Sequence, residues 1–190
     1  MVLSKVDDLK KFLEKKITII AGPGTTNYSR LNEILEIIYN DETNLILDAA
    51  CIEIVKSKKF SRLPIITPHE GEAAKLLGIN VDEISNKREY YARKISDKFS
   101  VITVLKGYET IITDGNKIYI CKDGDSSLAF AGSGDILAGL IGSFLAQGAK
   151  RIDSSLLGVS LHAYSAKNSK LKRGLTANEL IDLIRKNLNQ

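Results

Sequence analysis

The stretch Ala131-Gly132-Ser133-Gly134-Asp135-Ile136-Leu137-Ala138-Gly139 places a glycine-rich turn directly before an apolar segment. From Ile136 onward, apolar residues repeat at helical spacing, so the turn lies where a helix begins. Before this stretch, short β-rich runs alternate with amphipathic segments, and after it only helical patterns follow. This order is typical of an α/β fold with a mostly parallel sheet between helical layers and a C-terminal helical section.

Four predicted strands are continuous apolar runs: Ile17–Ile20, Leu45–Leu47, Leu63–Ile66 and Val101–Leu105. Two further β-branched runs, Thr110–Thr113 and Lys117–Cys121, are predicted to form a hairpin around Asp114-Gly115. The predicted helices follow the helical periodicity of apolar residues: Tyr28–Tyr39, Glu70–Leu77, Lys87–Phe99, Ser133–Gln147, Asp153–Lys170 and Thr176–Leu188. Thr176 and Glu179 form a capping box for the last helix. Right-handed crossovers predict a ligand site at the carboxyl ends of the parallel strands.

Composition and length predict one globular domain over residues 1–190. The 44% hydrophobic and 26% charged fractions exclude a disordered, collagenous or disulfide-scaffold chain. A net charge of +4 is compatible with an anionic ligand but too weak to indicate nucleic acid binding. We expect Cys51 and Cys121 to be inert core thiols and His162, on an apolar helical pattern, to be structural.

Membrane insertion and export are not expected from this sequence. The first residues lack the layout of a signal peptide. The long apolar stretch Leu128–Gly148 is interrupted by Asp135 and by scattered glycines. We therefore expect a cytoplasmic protein that spans no membrane.

The turn before the predicted helix is a candidate anion site. Backbone N–H groups of Gly132, Ser133 and Gly134 can approach an anion at the positive end of the helix. Asp135, in the first turn, is a candidate general base for a hydroxyl nucleophile. An equally weighted alternative is that the glycines make a tight turn and Asp135 caps the helix.

Other candidate residues follow predicted strands. Lys106 can reach a phosphate as a point charge, or it can be a solvated surface lysine. His69 can donate to a ligand and Glu72 can hold Mg²⁺, or both can face water at a helix start. The loop Gly22-Pro23-Gly24 permits a close backbone approach to a ligand, although such loops also occur as plain turns.

Taken in order, these segments resemble the ADP/ATP-dependent NAD(P)H-hydrate dehydratases of the ribokinase-like superfamily. The likeness extends from about Ile17 to about Leu188 and is most specific around Asp135. The segments that carry it are Gly22-Pro23-Gly24, Leu47-Asp48-Ala49, Thr67-Pro68-His69-x-Gly71-Glu72, Leu105-Lys106-Gly107-x-x-Thr110 and residues 131–139. The resemblance implies a three-layer ribokinase-like fold.

The resemblance also implies a repair enzyme. NADH or NADPH that has added water across its reduced ring is phosphorylated on the new hydroxyl by ADP or ATP with Mg²⁺, and phosphate then leaves. On this resemblance Asp135 would deprotonate the hydroxyl, and Gly132, Ser133 and Gly134 would cradle the phosphoryl group. The adenine nucleotide would contact Gly134 and the run Lys106, Gly107, Tyr108, Glu109 and Thr110. The hydrated coenzyme would contact Gly24, His69 and Asp135, and Glu72 would be linked to the metal.

The chain departs from the family pattern at Ala50, where a second aspartate is common, and at Ser126, Ser127 and Phe130 before the glycine cradle. Only Met1–Lys16 precede the first predicted strand, where the family has further elements, so we expect a homo-oligomer that covers the exposed sheet. Two alternatives stay open: a small-molecule kinase of the same superfamily, for instance on a thiamine-precursor alcohol, and a shortened, non-catalytic nucleotide-binding module.

Overall fold

A six-stranded mixed sheet forms the centre of the protein. The computed structural model describes residues 17–25, 33–34, 36–37, 43–60, 62–169, 171 and 173–189. The strands lie side by side in chain order: β1 (Thr18–Ala21), β2 (Asn44–Leu47), β3 (Ile65–Ile66), β4 (Ile102–Leu105), β5 (Thr110–Thr113) and β6 (Ile118–Cys121). Strands β1 to β4 are parallel, whereas β5 is antiparallel to both of its neighbours. The prediction of a mostly parallel sheet is therefore confirmed.

Helices cover both faces of this sheet and extend beyond it. Six of these helices have the following bounds: α1 (Glu70–Leu77), α2 (Val81–Asn86), α3 (Arg88–Phe99), α4 (Ser133–Ala146), α5 (Arg151–Lys167) and α6 (Ala177–Leu188). Short 3-10 helices span Ala49–Lys56 and Ser126–Leu128. Among the helices described, none is long and apolar enough to cross a lipid bilayer.

Alternate residues of each central strand enter opposite apolar clusters, as expected for a sheet buried on both sides. Leu47, Ile66 and Leu105 pack with α1, α3 and the first 3-10 helix. Ile46, Ile65, Val104 and Ile112 pack with α4 and α5 on the other face. A third cluster joins α6 to α5 through Ala166, Leu180 and Ile184. The core therefore has one apolar layer on each face of the sheet, and the third cluster packs the last helix onto α5.

The strands begin and end close to their predicted bounds, as do helices α1, α3, α4, α5 and α6. Most of the predicted Tyr28–Tyr39 helix lies outside the described residues, although residues 33–34 and 36–37 are helical. Helix α2 was not predicted, although its capping box was readable as Asn80-x-x-Glu83. The capping box of Thr176 and Glu179 is confirmed.

The predicted hairpin is confirmed, but its reversal is wider than a two-residue turn. Thr113 pairs with Ile118, so the connection covers residues 114–117. Asp114 Oδ1 accepts hydrogen bonds from the backbone N–H groups of Asn116 and Lys117, both at 2.9 Å. The Asp114 side chain therefore closes the loop, which is the usual role of aspartate at the start of a turn.

Candidate active site

Three consecutive parallel strands deliver polar side chains to one edge of the sheet. Asp48 directly follows β2, Thr67 follows β3, and Lys106 follows β4. Because β2, β3 and β4 are parallel, their carboxyl ends meet at this edge, where α/β proteins bind ligands. The predicted position of the site therefore coincides with a cluster of polar groups.

Lys106 and Asp48 form an ion pair at the centre of this cluster. Lys106 Nζ lies 2.8 Å from Asp48 Oδ1, and Thr67 Oγ1 donates to the same oxygen at 2.7 Å. The Asp48 side chain is 3% exposed and that of Lys106 is 21% exposed. Glu72 Oε2 lies 3.9 Å from the same ammonium. Lys106 is therefore held between two carboxylates, and the interpretation as a freely solvated lysine is wrong.

His69 and Glu72 close the N-terminus of α1 as a capping box. Glu72 Oε2 accepts from the backbone N–H of His69 at 2.8 Å, and His69 Nδ1 accepts from the N–H of Gly71 at 3.0 Å. Since Nδ1 accepts, the proton of the neutral ring is on Nε2. The His69 side chain is 61% exposed, whereas that of Glu72 is only 18% exposed. His69 thus faces solvent, as one interpretation expected, and Glu72 does not.

The glycine-rich turn opens α4 as predicted. Gly132 stands at the N-cap with φ +93°, a left-handed conformation that favours glycine. A Cβ built on Gly134 would lie 3.4 Å from Lys106 Nζ and 3.9 Å from Asp48 Oδ2. The N-terminus of α4 therefore faces the Lys106–Asp48 pair, and its amide groups and the ammonium converge on one region.

Asp135 lies in the first turn of α4 and is exposed. No hydrogen bond or ion pair joins its carboxylate to another residue in the part of the chain that the structure describes, and it makes no cap at this helix start. The capping interpretation of Asp135 is therefore not supported, and its side chain is exposed one residue after Gly134.

His162, on α5, contacts the glycine-rich turn at the start of α4. Its Nε2 lies 3.1 Å from the carbonyl oxygen of Ser133, to which it donates, and 3.3 Å from Ser133 Oγ. Burial lowers the pKa of His162 to about 4, against the weaker opposing effect of the Ser133 carbonyl. The ring is therefore neutral near pH 7. The expectation of a structural His162 agrees with this burial, but its contact with the candidate anion site was not foreseen.

A cleft of about 460 Å³ extends from this cluster along the loop between β4 and β5. Lys106, Gly107, Tyr108 and Thr110 form one side, with Ser133 and Gly134 at the inner end. The rest of the lining has an apolar wall of Leu128, Phe130, Leu137, Val159 and Ala163, together with the polar groups of Asp125, Ser126 and His162. Cys121 also lines the cleft, next to its strand partner Thr110. The apolar wall suits a flat, apolar ring system, and the polar end suits its anionic substituent.

The lining of this cleft does not include six of the predicted site residues, namely Gly24, His69, Glu72, Glu109, Gly132 and Asp135. Glu109 has φ +55° and lines a separate surface hollow with Tyr90 and Ile111. Gly24 is exposed in the loop after β1, and a Cβ built there would meet no atom of the described residues within 4 Å. Gly22 in the same loop, with φ +122°, packs closely against the backbone of Asp48.

Sequence reasoning gave no role at the site to two of its residues. Asp48 and Thr67 follow buried strands, which is the signal that could have marked them.

Cys51 is buried as expected, and burial, reinforced by the charge of Asp48, raises its pKa to about 11. Cys121 packs against the second core cluster but is only partly buried and also lines the cleft, so its burial is less complete than predicted.

Comparison with known proteins places these features in a family. A family model described as NAD(P)H-hydrate dehydratase matches residues 3–187. A bifunctional NAD(P)H-hydrate repair enzyme of Coxiella burnetii is 31% identical over 188 residues, which cover 96% of this chain and 38% of that protein. An ADP-dependent (S)-NAD(P)H-hydrate dehydratase of Neisseria meningitidis is 37% identical over 70% of this chain and 48% of its own length. The chain thus spans less than half of these relatives.

Solved structures agree with the fold. An ADP/ATP-dependent NAD(P)H-hydrate dehydratase of Bacillus subtilis, co-crystallised with ATP/Mg²⁺, superimposes with a TM-score of 0.84 at 26% identity. The match covers 96% of this chain and 69% of that one. A hydroxyethylthiazole kinase of Pyrococcus horikoshii, at 16% identity and a TM-score of 0.74, shares the fold. The predicted ribokinase-like architecture is therefore confirmed.

Proposed function

The chain belongs to the NAD(P)H-hydrate dehydratase family, and on this premise we propose that it restores NADH and NADPH from their hydrates with an adenine nucleotide. The observation that carries the proposal is the start of α4. Its glycine-rich turn faces the Lys106–Asp48 pair at the inner end of the cleft, and the exposed Asp135 carboxylate follows in the same turn. A phosphoryl group and an alcohol can meet there.

We assign the nucleotide to the cleft. Its ring system would lie against the apolar wall, and Lys106, Gly107, Tyr108 and Thr110 would line its other side with Gly134. The terminal phosphoryl group would then reach the amide groups of Gly132, Ser133 and Gly134. Glu109 lies outside the cleft lining, so we leave its side chain out of the nucleotide contacts.

Phosphoryl transfer depends mainly on alignment and on stabilisation of charge. The amide groups at the start of α4 and the Lys106 ammonium would stabilise the negative charge of the transferring group. Asp135 would accept the proton of the coenzyme hydroxyl while the hydroxyl oxygen attacks the terminal phosphorus of the nucleotide. The nucleotide, shortened by one phosphoryl group, then leaves. The ring carbon–oxygen bond then breaks, phosphate leaves with the bonding electrons, and a proton leaves the neighbouring ring carbon, which restores the double bond.

The charges of the site fit a bound divalent cation. Asp48 and Glu72 place two carboxylates within 4 Å of Lys106, at 2.8 and 3.9 Å, so an approaching phosphate meets more negative than positive charge. Mg²⁺ is commonly held by one or two carboxylates together with substrate phosphates. We propose that Glu72 would hold it, and a bound Mg²⁺ would neutralise phosphate charge.

We propose that the hydrated coenzyme lies on the open side of Asp135 and contacts Gly24 and His69. In its neutral form His69 carries its proton on Nε2, because Nδ1 is engaged with the N-terminus of α1; Nε2 lies 3.6 Å from Glu72 Oε2 on a side chain that is 61% exposed. This donor suits a carbonyl or phosphate oxygen of the coenzyme. Association of copies of this chain and a cytoplasmic location stay predictions, and light scattering at micromolar concentration tests the first.

The test is incubation of hydrated NADH or NADPH with the protein, Mg²⁺ and ADP or ATP. The expected result is a rise in reduced-coenzyme absorbance, accompanied by release of inorganic phosphate. A stable phosphate ester in the mass spectrum would instead support a small-molecule kinase. Nucleotide binding by calorimetry without turnover of any hydrate would support a binding module, and either result would reject the repair function.

A further inference from the structure

A guanidinium group lies behind the loop that forms one side of the cleft. Arg88, the first residue of α3, donates from Nη2 to the carbonyl oxygens of Leu105 at 3.3 Å and of Lys106 at 3.4 Å. Its side chain is 16% exposed. The Arg88 side chain does not line the cleft but lies on the opposite side of the loop, in the hollow that also contains Glu109. It therefore touches the backbone of the loop rather than the space for a ligand.

Gly107, the residue after Lys106, lies directly against this guanidinium. Gly107 has φ +138°, a conformation that side chains rarely adopt. A Cβ built on it would lie 2.8 Å from Arg88 Nη1 and 3.1 Å from Nη2. The guanidinium thus occupies the space that a side chain at position 107 would need, and it fixes the loop by packing as well as by hydrogen bonds.

A second set of contacts holds Arg88 in this orientation. Arg88 Nη1 is ion-paired with Glu70 Oε1, and Ser85 Oγ donates to the other Glu70 oxygen at 2.6 Å. Glu70 is the first residue of α1, the helix that also carries Glu72. The contacts therefore connect α1 and α3 to the end of β4, where Lys106 leaves the sheet.

The backbone at this point needs external support. Strand β4 ends at Leu105, so Lys106 and Gly107 have no place in the ladder. The N–H of Lys106 is bound by the carbonyl oxygen of Pro68 at 2.8 Å, and Arg88 binds its carbonyl oxygen. Both polar groups of the Lys106 backbone are thus fixed from outside the strand, which directs the side chain to Asp48 and Gly134.

We propose that Arg88 is a positioning residue for the nucleotide site, acting through the backbone of residues 105–107 on the Lys106 ammonium. The inference rests on the proposed nucleotide binding in the cleft. Lysine is a poor substitute for arginine here, because its ammonium is one compact donor group, whereas the planar guanidinium binds Glu70 through Nη1 and the two carbonyl oxygens through Nη2 and also covers Gly107. Arg88→Lys keeps the charge and therefore isolates the geometric contribution.

The first experiment measures local opening of the loop backbone in the absence of nucleotide. Amide hydrogen exchange of the peptide covering residues 104–110 is compared in wild type, Arg88→Lys and Arg93→Lys. Arg93 is an exposed arginine on the same helix and serves as the matched control. We expect faster exchange in Arg88→Lys alone. Equal exchange in all three proteins would overturn the proposal, and if Arg88→Lys does not fold, Arg88→Gln and Gly107→Ala take its place.

The second experiment measures affinity for ADP and ATP with Mg²⁺ by calorimetry in a double-mutant cycle. Arg88→Lys is expected to weaken binding about tenfold in the wild-type background and much less in Lys106→Met, because the effect passes through Lys106. The same loss in both backgrounds, or no loss beyond that of Arg93→Lys, would overturn the assignment. If wild type binds neither nucleotide, the proposed function fails, and hydrogen exchange still decides the role of Arg88.

Discussion

Lys106 Nζ lies 2.8 Å from Asp48 Oδ1, and this ion pair joins the ends of β4 and β2 beneath the N-terminus of α4. The two residues are 58 positions apart in the sequence. Because Asp48 is 3% exposed, its charge depends on Lys106 and Thr67 for compensation. The candidate phosphate site therefore shares its cation with a buried carboxylate.

Breaking this pair should destabilise the fold through the charge that is left behind. We expect Lys106→Met or Asp48→Asn to lower the free energy of unfolding by about 3 kcal/mol, and the double variant to lose less than the sum. Urea denaturation measures each value. Lys167→Met is the control, because its pair with Asp123 is half exposed and should contribute under about 1 kcal/mol. Additive losses at positions 48 and 106 would contradict the pairing.

Replacing Asp135 should remove chemistry without removing the fold. We expect Asp135→Asn to lower kcat at least about 100-fold, since the amide cannot accept the hydroxyl proton. Its melting temperature should stay near that of wild type, because Asp135 is exposed and makes no bond to another described residue. Asp153→Asn, in the first turn of α5, is the matched control. Robust turnover by Asp135→Asn would reject Asp135 as the base.

Gly22 should not tolerate a side chain. A Cβ at this position would lie 1.7 Å from the carbonyl oxygen of Asp48, and φ is +122°. We expect Gly22→Ala to cost more than about 3 kcal/mol, from overlap and backbone strain together. Gly78→Ala, where φ is +70° and no described atom lies within 4 Å, should cost only about 1 kcal/mol. Equal melting temperatures for the two variants would be inconsistent with this packing.

The buried His162 should make stability depend on pH. Burial lowers its pKa from 6.5 to about 4, so between these values the unfolded chain binds a proton at this residue and the folded chain does not. The free energy of unfolding should therefore fall by roughly 3 kcal/mol as pH drops from 6.5 to 4. Denaturation of wild type and His162→Gln at several pH values checks this. The same slope in both proteins would exclude His162 as its source.

The two cysteines should differ in reactivity. Cys51 is buried and its pKa is raised to about 11 by burial, whereas Cys121 lines the cleft. A thiol-specific disulfide reagent should modify Cys121 in the folded protein and Cys51 only after unfolding. ADP should slow the modification of Cys121, with Cys121→Ser as the unreactive control. Modification of Cys51 first would contradict the cleft geometry.

Properties that depend on near neighbours in the chain were determined by the sequence alone. Strands buried on both faces, helix periodicity and the capping box at Thr176 follow from spacings of a few residues. So does the turn at Gly132 and Gly134, since glycines directly before an apolar helical pattern mark a helix start. These patterns also placed Lys106 and Asp135 at element ends, where ligands bind.

Pairings between distant segments were decided only by the tertiary structure. No local pattern states that Asp48 meets Lys106, that His162 donates to Ser133, or that Arg88 binds the carbonyl oxygens after β4. Those contacts depend on which strand ends are adjacent and on how α3 and α5 pack against the sheet. A sequence fixes side-chain chemistry and local conformation, whereas the partner of a charge is set by the packing that brings remote residues within a few ångströms of one another.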